Sequence, residues 1–265
     1  MFLEPQGGDA FGVSYWLNSE FLGSWTGIAA DQNYNQTLTL PNLKSGQAYV
    51  LTILLDNMGL DERGTVGTDE MKNPRGILRY DLSGRKSSAI KWKITGNLGG
   101  ETYQDKARGP LNEGGLFAER QGYHLPNPPS QKWPTAKPTD GISKAGVGFY
   151  TTSFDLDMPA GFDIPMSFVF TNTTTVSNYR SQLYVNGYQF GKYVNNIGPQ
   201  TSFPVPEGIL NYHGTNYIAL SLWALDSAGT KVEDIKLVAG PVIQSAYSAP
   251  ELVPMPAWEE RQGAY

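Results

Sequence analysis

One pattern in this chain occurs twice. Trp16-Leu17-Asn18-Ser19-Glu20-Phe21-Leu22-Gly23 matches Tyr184-Val185-Asn186-Gly187-Tyr188-Gln189-Phe190-Gly191 at a spacing of 168 residues. At that spacing Tyr49 also falls on Tyr217, Val50 on Ile218 and Leu54 on Leu222. Two separated blocks that share one offset call for one fold made twice, so the architecture must be a half-sized unit that can be repeated along the chain.

The local chemistry of each block is that of a β-hairpin. An apolar strand runs into Asn-Ser or Asn-Gly, and the second strand leaves through an aromatic residue and a glycine. Asn-Gly supplies the two positive-φ positions that a tight hairpin turn needs. Elsewhere apolar and polar residues alternate with period two. Tyr49 to Leu55, Phe168 to Phe170, Gln182 to Val185 and Tyr217 to Trp223 read as strands, and so does Ile90-Lys91-Trp92-Lys93-Ile94. No segment carries apolar residues at i, i+3, i+4 and i+7; short helical turns are expected near Met71 or Glu119 at most. The 30 glycines and 18 prolines suit many short strands joined by turns.

The expectation is therefore an all-β chain of two tandem jelly-roll β-sandwiches, at residues 1–123 and 145–265. The intervening segment, 124–144, holds Pro126, Pro128, Pro129, Pro134 and Pro138. Proline fixes φ and donates no ladder hydrogen bond, so this segment reads as an extended connector, with Trp133 pinning it to a neighbouring surface.

Composition removes several functions. A net charge of −5 with no block of Lys or Arg argues against nucleic acid or an anionic membrane surface as partner. The absence of cysteine excludes disulfides and thiolate metal sites. No apolar run approaches the roughly 20 residues that span a bilayer. Met1-Phe2-Leu3 leads directly into Glu4-Pro5-Gln6-Gly7-Gly8 without the pattern of a leader peptide, so a secreted protein would carry its leader upstream. No Walker loop, G-x-S-x-G or H-E-x-x-H is present, and no cofactor or metal site is expected.

The carboxylates give little. Asp155 and Asp157 share one face of a strand and read as a solvated edge, with a calcium site as the minor alternative. Asp61-Glu62 and Asp69-Glu70 follow a strand and sit where sandwich loops carry binding groups, although a solvated loop is the commoner outcome. Asn112-Glu113-Gly114-Gly115 reads as a turn. His124 and His213 read as structural. Among the tryptophans, Trp92 and Trp223 lie in alternating strands and are expected in cores, whereas Trp16 and Trp25 are open to either a core or a sugar-stacking role. Asn35-Gln36-Thr37 and Asn172-Thr173-Thr174 are N-glycosylation acceptors if the chain enters a secretory pathway.

The run from Tyr184 through Gly191 to Lys192-Tyr193-Val194-Asn195-Asn196-Ile197-Gly198-Pro199-Gln200-Thr201 resembles the final jelly-roll domain of fungal β-galactosidases of glycoside hydrolase family 35. The resemblance continues through Phe203-Pro204-Val205-Pro206-Glu207-Gly208-Ile209-Leu210-Asn211-Tyr212. It also takes in Arg108-Gly109-Pro110-Leu111-Asn112-Glu113-Gly114-Gly115-Leu116, Ala118-Glu119-Arg120-Gln121-Gly122 and the ending Gly263-Ala264-Tyr265.

This resemblance implies a secreted, extracellular enzyme that hydrolyses terminal β-D-galactose residues with retention. Its catalytic glutamates would lie in a (β/α)₈ barrel outside this chain. No Glu-Asn-Glu occurs here, so no catalytic residue carries over. The implied role is an accessory region packed on that barrel, meeting β-galactoside carbohydrate only through the parent enzyme. The first sandwich is then incomplete at its N-terminus. The loop Gly59 to Gly67 would approach the sugar pocket, with Glu62 at the substrate rim; Gly64 departs from the Trp that relatives carry there. The alternatives are a free-standing carbohydrate-binding module, or a structural protein without sugar chemistry.

Overall fold

The computed structural model describes residues 1–6, 11–27, 36–57, 76–94, 117–171, 177–197 and 200–245. These form antiparallel sheets almost throughout. Strands β1 (Phe2–Gln6), β2 (Phe11–Leu17), β3 (Glu20–Trp25), β4 (Gln36–Thr37), β5 (Leu51–Asn57) and β6 (Gly76–Asp81) build the first half. They make two three-stranded sheets, ordered β4-β1-β6 and β3-β2-β5. The odd-numbered residues of β2 enclose the first core: Phe11, Val13 and Tyr15 join Trp25 and Leu38, with Ile53, Leu55, Ile77 and Tyr80 packed around them. That is the period-two rule with one face turned inward.

One helical turn, α1 (Phe117–Arg120), is the expected turn at Glu119. The second half follows as β7 (Gly146–Asp157), β8 (Phe162–Asp163), β9 (Met166–Phe170), β10 (Tyr179–Val185), β11 (Tyr188–Val194), β12 (Ser202–Val205), β13 (His213–Ala224), β14 (Ile235–Ala239) and β15 (Ile243–Gln244). A four-stranded sheet, β11-β10-β13-β7, packs on a three-stranded sheet, β12-β9-β14, and β15 pairs with β8. The second core holds Phe168, Phe170, Leu183, Tyr193, Leu220 and Leu222 among others. Phe170 stacks on Tyr193 at 4.5 Å between ring centroids.

The repeat is real in three dimensions. The order β3-β2-β5 recurs as β11-β10-β13, and β4-β1-β6 as β12-β9-β14. Both hairpins turn at an asparagine with positive φ, 54° at Asn18 and 48° at Asn186. Both carry a register shift at the same point, after Tyr15 in one and Leu183 in the other. Tyr15 faces Gly23 and Leu183 faces Gly191, each pair offset by the same 168 residues. Gly191 must be glycine, because a Cβ there would overlap the ring of Phe203.

The third strand corrects the sequence alignment. Leu17 pairs with Leu51 and Val185 pairs with Ile218, so in this strand the offset is 167. Leu222 therefore corresponds to Leu55, not to Leu54. A slip of one residue moves a side chain to the other face of the sheet, so the difference decides which leucine is core.

Residues 90–94 are a second departure. They form no strand, and Trp92 is 49% exposed rather than buried. Alternation there reflects a segment lying on the surface. Trp92 rests edge-on against Tyr80 at 5.1 Å and donates its indole N–H to the Tyr80 hydroxyl at 3.2 Å. Trp133 in the proline-rich segment packs edge-on against Tyr123 at 4.9 Å. That segment then joins the second half, where Val232 N–H donates to the Pro138 carbonyl and Ile142 bridges to Thr230.

Candidate functional site

Both faces of β10 are covered. Tyr179, Leu183 and Val185 point into the second core, while Arg180 and Tyr184 on the opposite face are also buried. What covers Arg180 is the first half of the chain. Its guanidinium Nη1 donates to Asp56 Oδ2 at 3.1 Å, and Lys192 Nζ donates to Asp56 Oδ1 at 2.9 Å. The three side chains are 4%, 13% and 13% exposed for Arg180, Asp56 and Lys192. One carboxylate from β5 thus ties two cations from β10 and β11 across a dry seam.

The seam continues through Trp223 on β13. Its indole N–H donates to Ser14 Oγ at 3.0 Å, and Ser14 Oγ shares a 2.6 Å hydrogen bond with Ser24 Oγ. Trp223 is buried as expected, but in the seam and not within either sandwich core. Gly12 lies under Arg180, and a Cβ there would overlap the guanidinium. Gly12 and Arg180 are themselves equivalent positions of the repeat. Equivalent residues that meet each other mark an approximate two-fold axis, so β3-β2-β5 and β11-β10-β13-β7 pack as an internal isologous pair.

Tyr184 is covered by α1. Its hydroxyl donates to Glu119 Oε1 at 2.5 Å within buried surroundings, and the ring of the buried His124 lies 5.2 Å from that of Tyr184. The helical turn and the start of the proline-rich segment thus extend the cover that the first sandwich begins.

Chemically, the buried described acids are engaged in structure. Asp56 and Glu119 are the buried ones just placed. Asp226 Oδ2 accepts the Asn178 N–H at 2.6 Å and so ties the entry to β10. Asp155 and Asp157 share a face at an exposed strand edge: Thr215 Oγ1 donates to Asp155 at 2.6 Å, and His213 Nδ1 lies 3.4 Å from Asp157. No group of three or more His, Asp or Glu residues suited to a metal occurs among the described residues. Burial, first of all, raises the phenol pKa values of Tyr179, Tyr193, Tyr150 and Tyr212, as expected for hydroxyls held in or beside an apolar core. No helix among the described residues is long and apolar enough to cross a membrane.

The sequence-selected positions Glu62, Asn35 and Asn172 lie outside the described residues, as do Asp61, Asp69, Glu70, Asn112 to Gly115 and Met71. Trp25 belongs to the first core, and Trp16 packs against Phe21 at 5.7 Å. The seam residues Ser14, Asp56 and Arg180 belong to no motif, and Lys192 lies in the family-like run without being marked there as a contact. The signal for them is compositional only: a single charged residue, Arg180, inside β10, and a small Gly-x-Ser face on β2.

The sequence profile described as "Beta-galactosidase second all-beta domain" matches residues 1–61 and 117–228. Those stretches contain both hairpins and both sides of the seam. The chain belongs to that family. Its relatives include "Probable beta-galactosidase A" of Aspergillus fumigatus, 64% identical over 263 residues, 99% of this chain and 26% of the relative. "Beta-galactosidase A" of Aspergillus niger is 59% identical over the same share of each chain. "Beta-galactosidase A" of a Penicillium species is 57% identical over 265 residues, 100% of this chain and 26% of the relative. The chain thus spans about a quarter of the length of these β-galactosidases and matches them along its whole length. A solved carbohydrate-binding structure, "Xyl-CBM35 in complex with glucuronic acid containing disaccharide", aligns at 15% identity and a TM-score of 0.20 over 40% of this chain and 75% of that one. That likeness is too slight to bear on fold or ligand.

Proposed function

We propose that this chain is the C-terminal accessory region of a secreted β-galactosidase that releases terminal β-D-galactose. In this reading it packs on a catalytic barrel and contributes no catalytic group. The observation that carries the proposal is its end-to-end match to about a quarter of the length of fungal β-galactosidases. Geometry agrees with it. Glycoside hydrolysis needs two carboxyl groups facing one bond about 5 to 9 Å apart. Here the buried acids Asp56 and Glu119 are committed to an ion-pair cluster and to a tyrosine hydroxyl. The seam supplies what an accessory region needs, which is a rigid block of two sandwiches. Glu62 at the substrate rim, glycans on Asn35 and Asn172, and the domain limits 1–123, 124–144 and 145–265 belong to the same proposal.

The test is turnover of a chromogenic β-galactoside by the purified 265-residue chain. No activity above a mock preparation is expected. Sustained activity that co-purifies with the chain and falls on Glu119→Gln or Asp56→Asn would overturn the proposal.

One observation favours a second reading, a carbohydrate-binding surface. Trp92, half-exposed against Tyr80, is a solvent-facing aromatic able to stack on a sugar ring, and Ile94 beside it is 88% exposed. The same apolar surface equally suits contact with the barrel. Affinity electrophoresis in galactan separates the two. Retardation lost in Trp92→Ala supports sugar binding, and unchanged mobility at millimolar galactoside leaves the barrel contact.

A further inference from the structure

The two hairpin turns share a backbone and differ in chemistry. Asn18-Ser19 and Asn186-Gly187 are the two places in the chain where asparagine precedes Ser or Gly. In such pairs the backbone nitrogen of the second residue can attack the asparagine Cγ. The new N–C bond closes a five-membered succinimide ring, and the Cγ–Nδ2 bond breaks to release ammonia. Water then opens either ring carbonyl, leaving aspartate or isoaspartate and one added negative charge. Glycine has no Cβ and hinders the attack less than serine does. By sequence alone Asn186 is therefore the more reactive of the two.

The structure reverses that order. With φ at 54° in Asn18 and 48° in Asn186, turn geometry favours neither. Each Oδ1 accepts the equivalent amide of the third strand, Val50 N–H at 3.0 Å and Tyr217 N–H at 2.8 Å. The difference lies at the leaving group and at the nucleophile. Asn186 Nδ2 donates to the Ile209 carbonyl at 2.6 Å and to Asn216 Oδ1 at 2.9 Å. Asn216 is fully buried, accepts the Asn211 N–H at 2.7 Å and donates to the Asn211 carbonyl at 2.8 Å. Gly187, which carries the attacking nitrogen, is buried. Asn18 Nδ2 donates to nothing among the described residues, and both Asn18 and Ser19 are exposed. We propose that Asn18 is the site of spontaneous deamidation in the folded protein, and that Asn186 is a latent site that reacts only when its contacts to Ile209 and Asn216 open. Two hydrogen bonds of ordinary strength on Nδ2 slow Asn186 by about fivefold to a hundredfold, and burial of the Gly187 nitrogen adds to this. The products differ as well. Aspartate at position 18 keeps the oxygen that accepts the Val50 N–H, so the hairpin survives. At position 186 a carboxylate oxygen replaces the donor that faces two acceptors, the Ile209 carbonyl and Asn216 Oδ1. Those acceptors lose their partner, and the opened hairpin does not close again. The inference is independent of the galactosidase reading, since it uses only the two turns.

The test is peptide mapping by mass spectrometry of the full chain aged in mildly alkaline buffer, once native and once unfolded in urea. In the native chain Asn18 is modified first. On unfolding, the rate at Asn186 relative to that at Asn18 rises by about tenfold or more. In urea too dilute to unfold the chain, the Asn186 rate climbs with the opened fraction while the Asn18 rate changes little. Two variants install the products directly. Asn186→Asp lowers the urea midpoint or prevents folding, and Asn18→Asp leaves the midpoint where it was. Any one of four results would overturn the proposal: Asn186 reacts first in the native chain, its rate is indifferent to urea, Asn18 survives native ageing while unfolded Asn186 is consumed, or Asn186→Asp is as stable as Asn18→Asp.

Discussion

Replacing Asp56 by alanine tests the seam directly. Its carboxylate accepts from Arg180 at 3.1 Å and from Lys192 at 2.9 Å, and all three side chains are at most 13% exposed. An exposed ion pair is worth about 0 to 1 kcal/mol, whereas removing one partner of a buried one costs about 3 to 5 kcal/mol. The lower end applies here. Lys192 keeps some access to water, and Arg180 also reaches the Thr26 carbonyl at 3.4 Å. The expected loss for Asp56→Ala is about 3 kcal/mol, which in a chain of this size lowers the Tm by about 6 to 12 °C. A double-mutant cycle isolates the contact: Asp56→Ala, Arg180→Ala and the pair together, each followed by urea unfolding. With Arg180 removed as well, Lys192, which keeps some access to water, is the one cation left facing the vacated site, so the double variant should lose about 2 kcal/mol less than the sum of the single ones. The coupling should change little between about 0.05 and 0.5 M salt, because a buried pair is weakly screened. Additivity within about 0.5 kcal/mol, or a coupling that vanishes with salt, would refute a dry ionic seam.

Three further outcomes follow from the same geometry. Leu222→Ala should cost about 3 to 5 kcal/mol and its counterpart Leu55→Ala about half as much, since one leucine is fully enclosed and the other only partly buried; urea titration of both variants checks this. Asn186→Ala should cost about 2 to 4 kcal/mol, more than Asn18→Ala. Asn186 holds a φ of 48° and bonds Ile209, Asn216 and the Tyr217 N–H, whereas Asn18 Oδ1 meets only the exposed Val50 N–H; Asn186→Gly should recover the part due to the backbone. Alkaline pH should destabilise the second sandwich. Burial, with smaller contributions from Tyr193 and Glu233, raises the phenol pKa of Tyr179 above its ordinary value of 10.0. A raised folded-state pKa means the neutral form is favoured by folding, so this stability is complete below pH 10 and is lost as pH rises from there through the folded value. Chemical denaturation between pH 9 and 12 should show a falling stability that is shallower in Tyr179→Phe; equal slopes would remove burial of this phenol as the cause.

The duplication, the strand-rich architecture and the hairpin turns were legible in the sequence because each rests on local chemistry. Asn-Ser and Asn-Gly set the turns, Gly23 and Gly191 mark the same step in each hairpin, and alternation shows that a strand buries a face. Alternation does not say what covers that face. Trp92 alternates as cleanly as Trp223, yet the first lies on the surface and the second between two sandwiches. Matching residues by likeness aligned Leu54 with Leu222, but the pairing of Leu51 with Leu17 decides that Leu55 is the counterpart, because register is a property of two strands together. Asp56 is far in the chain from Arg180 and Lys192, and no motif links the three. Only the docking of one sheet on another brings them within hydrogen-bonding distance.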